Sequence, residues 1–223
     1  VAILNFYIMG DCHADIFVAA IHENRDKIIR YPDTNRGDDV FVVPQGMDVR
    51  FAGATLHNVV REFPPGFFKP SIGDTVIYIY GELDCRVSIP RQLEKGRTLD
   101  EVVEDLAKRY VEWVLQHKVE HGTRPIISCV IPPSDVRPAT EDVGQQIGTR
   151  AERVLNTKSL NAAIKAECEL HNVLFLDFYD HYALDDGSLN QELAAGRHIG
   201  WTDNLGTEIG KLLESNKDGW DNG

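Results

Sequence analysis

The sequence lacks most of what would tie it to several large classes of protein. No apolar run approaches the roughly 20 residues that a membrane-spanning helix needs, and no signal-peptide pattern opens the chain. Cysteine is scarce: Cys12, Cys85, Cys129 and Cys168 are the four, and they lie far apart. That count and scatter argue against a disulfide scaffold. The absence of any C-x-x-C pair argues against a structural zinc site. Basic charge is also short, 23 Lys and Arg against 35 Asp and Glu, for a net charge of −12. A nucleic acid or an anionic membrane is therefore a poor partner. No repeat, low-complexity tract or Pro/Ser-rich linker divides the chain, so a single domain over residues 1–223 is expected. The expected compartment is the cytoplasm. The first residue is Val1 rather than Met, so a trimmed leader, or a place within a longer protein, is also an expectation.

What is present is a core. The hydrophobic fraction is 43% and the aromatic fraction 9%, enough for an ordinary globular interior. Apolar runs that suit buried parallel strands recur at 3–9, 40–43, 75–80, 126–131 and 173–178. Between them lie helical patterns at 14–30, 54–62, 99–121, 146–171 and 205–215. The longest carries Leu99, Val102, Val103, Leu106, Tyr110, Trp113 and Val114 at helical spacing. Strand alternating with helix predicts an α/β fold: a flavodoxin-like, doubly wound, five-stranded parallel sheet with helices on both faces. In such sheets ligands bind beyond the carboxyl ends of the strands.

The chemistry-bearing residues fall where that rule puts them. Gly10-Asp11-Cys12-His13 follows the first run, and Gly53 follows Val49–Phe51, an extension of the second. Gly81-Glu82-Leu83-Asp84-Cys85-Arg86 follows the third and Pro132-Pro133-Ser134 the fourth, while His198 precedes the last helical pattern. Cys12 stands at a strand-to-helix turn, where backbone amides and the helix dipole favour a thiolate. The alternative for Cys12 is a small buried residue at a tight turn. Asp11 suits a helix cap or an orienting group, and His13 a local hydrogen-bonding residue. Cys129 and Cys168 suit core thiols, and His57, His117, His121, His171 and His181 structural or surface positions.

In these blocks the chain resembles the SGNH/GDSL hydrolase superfamily of esterases, lipases and carbohydrate acetylesterases. "GDCH" stands at the family's GDS block, with Cys12 in place of the nucleophilic serine. "FAGAT" puts Gly53 where a glycine amide serves the oxyanion hole, "YGELDCR" occupies the G-x-N-D block, and "LNQELAAGRHIG" supplies His198 as base. A subgroup associated with glycan-processing proteins, with a GEIDCR-like block and a stretch similar to "GTRAERVLNTKSLNAAIKAEC", is closer still. The resemblance implies an acyl-ester hydrolase or acyltransferase on an acylated carbohydrate or small ester, without cofactor or metal. It also implies a possible place beside, or within, a larger glycan-processing protein. Catalysis falls to Cys12, His198 and Asp11; oxyanion and substrate binding fall to Gly53, Gly81, Glu82, Asp84 and Arg86. Glu82, Asp84 and Arg86 are further expected to form one buried charged network, with Arg86 a candidate replacement for a lost oxyanion donor.

Three positions depart from the pattern. Serine is Cys12, the G-x-N-D asparagine is Leu83, and the acid three residues before the histidine is Ala195. A thiolate is nucleophilic without a strong third member, so a Cys–His pair tolerates Ala195 better than a Ser–His pair does. Asp186 or Asp203 could still supply the acid. Two other readings stand beside this one. Asp11-x-His13 with the 81–86 block is similar to the ligand blocks of metallophosphoesterases, whose carboxylates and imidazoles suit a two-metal site. A binding domain that kept the fold and lost the chemistry is the other.

Overall fold

The computed structural model describes residues 6–10, 29–32, 39–43, 47–51, 55–56, 70, 72–134, 146–195 and 198–199. Nine strands lie among them: β1 (Phe6–Gly10), β2 (Ile29–Pro32), β3 (Asp39–Val43), β4 (Met47–Phe51), β5 (Thr75–Ile79), β6 (Arg124–Ser128), β7 (Leu174–Leu176), β8 (Ala194–Ala195) and β9 (His198–Ile199). The helices are α1 (Ile89–Glu94), α2 (Leu99–His121), α3 (Arg150–Leu170) and the single turn α4 (Tyr179–Tyr182). A π-helical turn, Asp84–Ser88, leads into α1.

Seven of the described strands form one sheet in the order β2-β3-β4-β1-β5-β6-β7. The five from β4 to β7 are parallel. Counted along the chain they run 2-1-3-4-5, the flavodoxin-like order. The expected five-stranded parallel sheet is therefore present, with one exchange. The apolar run at 40–43, read as a parallel member, is the antiparallel partner of both β2 and β4. Its place in the parallel set is taken by β4. An apolar run has no direction, and only three residues separate Val43 from Met47, too few for a crossover between parallel strands.

Both faces of β5 are buried. Val76, Tyr78 and Tyr80 point to one side with Ile127, against Tyr110, Trp113 and Val114 of α2 and Leu160, Ile164 and Cys168 of α3. Ile77 and Ile79 alternate to the opposite side and are equally buried. On the α2 side the rings interlock edge to face, Tyr78 on Trp113 at 5.6 Å between centroids and Tyr80 on Tyr110 at 6.2 Å. His117 belongs to this core: it is 2% exposed, its ring lies 4.2 Å from that of Trp113, and its Nδ1 is hydrogen-bonded to the Tyr78 hydroxyl at 3.3 Å. No described helix is long and apolar enough to cross a membrane.

The two long helices start at matching signals. In α2 the Thr98 hydroxyl accepts from Glu101 N and the Glu101 carboxylate accepts from Thr98 N. Thr149 and Glu152 repeat the arrangement at α3. Each box satisfies donors that the first turn leaves without partners. α2 matches its sequence expectation at both ends and stops at Gly122, whose φ of 64° is the left-handed conformation glycine adopts readily. α3 starts at Arg150 rather than at Gln146, because Thr149 is extended and caps it.

Candidate active site

Three neighbouring parallel strands end together. Gly10, the last residue of β1, is in register with Phe51 of β4 on one side and with Ile79 of β5 on the other. Cys12, Gly53 and Gly81 each come two residues after one of these three strand ends. Asp11, Cys12, His13 and Gly53 lie outside the described residues; Gly81 and the loop after it are described.

Gly81 is fixed by its surroundings. Its φ is +118°, a conformation closed to side chains. A Cβ there would meet Val130 Cγ2 at 2.8 Å, with Leu160 Cδ2 and Leu56 Cδ1 at 3.3 Å. The loop after it is tied down repeatedly. Cys85 N donates to Gly81 O at 3.0 Å, Ile147 N to Arg86 O at 3.0 Å, and Asn156 Nδ2 of α3 to Cys85 O at 3.1 Å. Two residues beyond β6, Val130 receives the other clamp from α3. Its N–H donates to Asn161 Oδ1 at 2.7 Å, and Asn161 Nδ2 donates to its carbonyl at 2.9 Å. Asn156 and Asn161 escaped the sequence reading. Their lone signal was an asparagine pair on the inner face of a helix, and what they hold is visible only in three dimensions.

The expected network of Glu82, Asp84 and Arg86 is two separate devices. Arg86 Nε donates to the Glu82 carboxylate at 2.9 Å, one helical turn away and half-buried. Asp84 is fully buried and accepts from Leu56 N at 2.5 Å, across to the segment that follows β4. The reason for the split is the turn itself: residues 82 and 86 share a face and residue 84 points away from it. Asp11 and His13, on which the metallophosphoesterase reading also rests, lie outside the described residues. No cluster of three His, Cys, Asp or Glu side chains suited to a metal occurs among the described residues.

The His198 segment comes to the same edge. Leu189 N donates to Pro133 O at 3.1 Å and Gln191 Nε2 to Ser134 Oγ at 3.3 Å, in the loop after β6. Three residues past Gln191 the chain forms the ribbon β8–β9, in which Ala195 is the direct antiparallel partner of His198. Asp186 is otherwise engaged: Ser188 Oγ donates to it at 2.5 Å, Ser188 N at 2.9 Å and Arg150 Nη1 at 3.2 Å, which holds its carboxyl below the usual range. Asp203 lies outside the described residues.

Cys85, Cys129 and Cys168 are buried and stand outside any disulfide. Burial pushes the Cys168 thiol up to about 12 and raises that of Cys129 further, so neither is a thiolate at neutral pH.

Solved structures share this architecture over almost the whole chain. A GDSL-like lipase from Bacteroides thetaiotaomicron matches 96% of this chain and 87% of its own, at 14% identity and a TM-score of 0.55. The fold is that of the SGNH/GDSL hydrolases. Phospholipase A1 from Streptomyces albidoflavus is similar at 14% identity, with 96% and 99% covered and a TM-score of 0.52. A catalytic mutant of an acetylxylan esterase from Geobacillus stearothermophilus is similar at 17%, with 95% and 93% covered and a TM-score of 0.50. No family model and no curated protein matches the chain.

Proposed function

We propose that this chain is a carboxylic-ester hydrolase or acyltransferase that uses Cys12 as nucleophile and His198 as base on an acylated carbohydrate or small ester. The observation that carries it is the shared register of β4, β1 and β5 at their carboxyl ends. Two residues of chain span at most about 7 Å and adjacent strands lie about 4.8 Å apart, so Cys12 and Gly53 leave the sheet from neighbouring strand ends, which supports a shared site. The SGNH/GDSL fold supports ester chemistry, and the acetylxylan esterase among the similar structures supports an acylated carbohydrate.

In the proposed reaction the Cys12 proton passes to His198, the thiolate Sγ attacks the acyl carbonyl, and the amides of Cys12 and Gly53 hold the resulting oxyanion. Collapse breaks the ester C–O bond, leaves a thioester, and the departing alkoxide takes a proton from His198. Water or a sugar hydroxyl then attacks the thioester while His198 removes its proton, and Sγ leaves. Leu83 in place of the family's asparagine removes one oxyanion donor, and Ala195 removes the usual acid; the thiolate compensates by needing no proton removed during attack.

The test is turnover of p-nitrophenyl acetate and of acetylated oligosaccharides, with and without chelator, by the wild type, Cys12→Ala and His198→Ala. Chelator-insensitive release, abolished by Cys12→Ala and lowered about 10²–10⁴-fold by His198→Ala, is the expected result. Silence of the wild type throughout would sink the reading in favour of a binding domain.

A further inference from the structure

We propose that Asp84 is a positioning residue for the oxyanion loop, gripping from the end of β5 the segment that carries Gly53 at the end of β4. This rests on the reading of Gly53 as an oxyanion donor.

The Asp84 side chain is fully buried, and its Oδ2 accepts from Leu56 N at 2.5 Å, 28 positions away in sequence. Leu56 is itself 1% exposed and is three residues past Gly53. A carboxyl oxygen on a buried amide makes a hydrogen bond with no water to compete for either partner. The arm that presents it is rigid. The 81–86 loop closes on itself through Cys85 N and Gly81 O, and is held from outside by Asn156 on Cys85 O and Ile147 on Arg86 O. Packing reinforces the same link, since Leu56 Cδ1 fills the space beside Gly81 that a Cβ would need. The exits of β4 and β5 are thus joined by Asp84, those of β5 and β6 meet at the bare Cα of Gly81, and Asn161 fixes the β6 exit to α3. An oxyanion donor works only when held where charge develops, and misplacement by about 1 Å costs on the order of 100-fold. Asp84 touches neither substrate nor nucleophile in this scheme. Its contribution is to deny the Gly53 amide that freedom.

The experiment pairs steady-state kinetics on p-nitrophenyl acetate with hydrogen–deuterium exchange over residues 52–58, in wild type, Asp84→Ala and Asp84→Asn. Asp84→Ala should lower kcat roughly 10–100-fold with KM within twofold, because the donor acts on the transition state rather than on the bound ester. Exchange at Leu56 should rise in step. Asp84→Asn keeps one acceptor oxygen and should fall between the two in both measurements. A folded Asp84→Ala protein with wild-type kcat would overturn the proposal, as would a drop in KM-dependent binding alone. Should Asp84→Ala fail to fold, Asp84→Asn decides, and a kcat and Leu56 exchange equal to wild type would overturn it. If the wild type turns over no ester the functional reading falls by itself, and exchange at Leu56 still decides whether Asp84 holds this loop.

Discussion

Acidification should weaken this fold through one ring, that of His117. It is 2% exposed, faced by Tyr78 from β5 and by Trp113 and His121 from its own helix. Burial first, and the nearby His121 second, push its pKa down from 6.5 to about 4. The folded state therefore prefers the neutral ring, while the unfolded chain takes up a proton at about 6.5. Stability from this group is complete above pH 6.5, declines as the pH falls, and is fully lost once the folded pKa is passed. At 1.36 kcal/mol per pKa unit the whole effect is about 3 kcal/mol, and the part expressed between pH 7 and pH 4.5 is about 2 kcal/mol. The perturbation is His117→Gln, which does not titrate yet keeps an acceptor for the Tyr78 hydroxyl. The assay is urea unfolding of both proteins at pH 7 and pH 4.5. Every carboxylate that titrates in this window is common to both, so the difference of the two pH dependences isolates His117. The wild type should lose about 2 kcal/mol more than the variant on acidification. Equal losses would mean that the ring is protonated, or reached by water, in the folded state.

Iodoacetamide at neutral pH should label Cys12 well ahead of Cys129 and Cys168, whose thiols burial keeps protonated; equal slow labelling on peptide mapping would remove Cys12 as the nucleophile. The direct pairing of Ala195 with His198 makes Ala195→Asp a test of the missing acid. In a double-mutant cycle it should rescue a crippled Cys12→Ser enzyme more than it helps the native cysteine. A Cys12→Ser variant as fast as wild type would show that an acid is already in place. Gly81→Ala should cost about 1–3 kcal/mol in urea unfolding, since its Cβ would press on Val130 Cγ2 at 2.8 Å from a positive φ; an alanine variant as stable as wild type would refute the packing account.

Features that depend on near neighbours along the chain were readable before folding was considered. α2 was legible at both ends, because its apolar stripe repeats every 3.6 residues and a glycine with left-handed φ ends it. The strand cores were legible as apolar runs, and their alternation with helices sufficed for a parallel sheet of flavodoxin-like order. That order brought the 81–86 and 132–134 loops to one edge, and Gln191 is bonded to the second of them at Ser134. Tertiary structure decided everything that needs a distant partner. The run at 40–43 became antiparallel because strand direction follows from loop length and neighbours, and hydrophobicity carries neither. Glu82, Asp84 and Arg86 read as one network in sequence. The twist of a single turn gave two of them to each other and sent Asp84 to Leu56, 28 residues away. Asn156 and Asn161 looked like ordinary helix residues until the exits of β5 and β6 were set against them. His117, at the same helical spacing as surface residues, became a neutral core group only because Tyr78 and Trp113 closed over it. A side chain's neighbours along the chain set its local conformation; its solvent, charge and partners come from segments that meet only when the chain has folded.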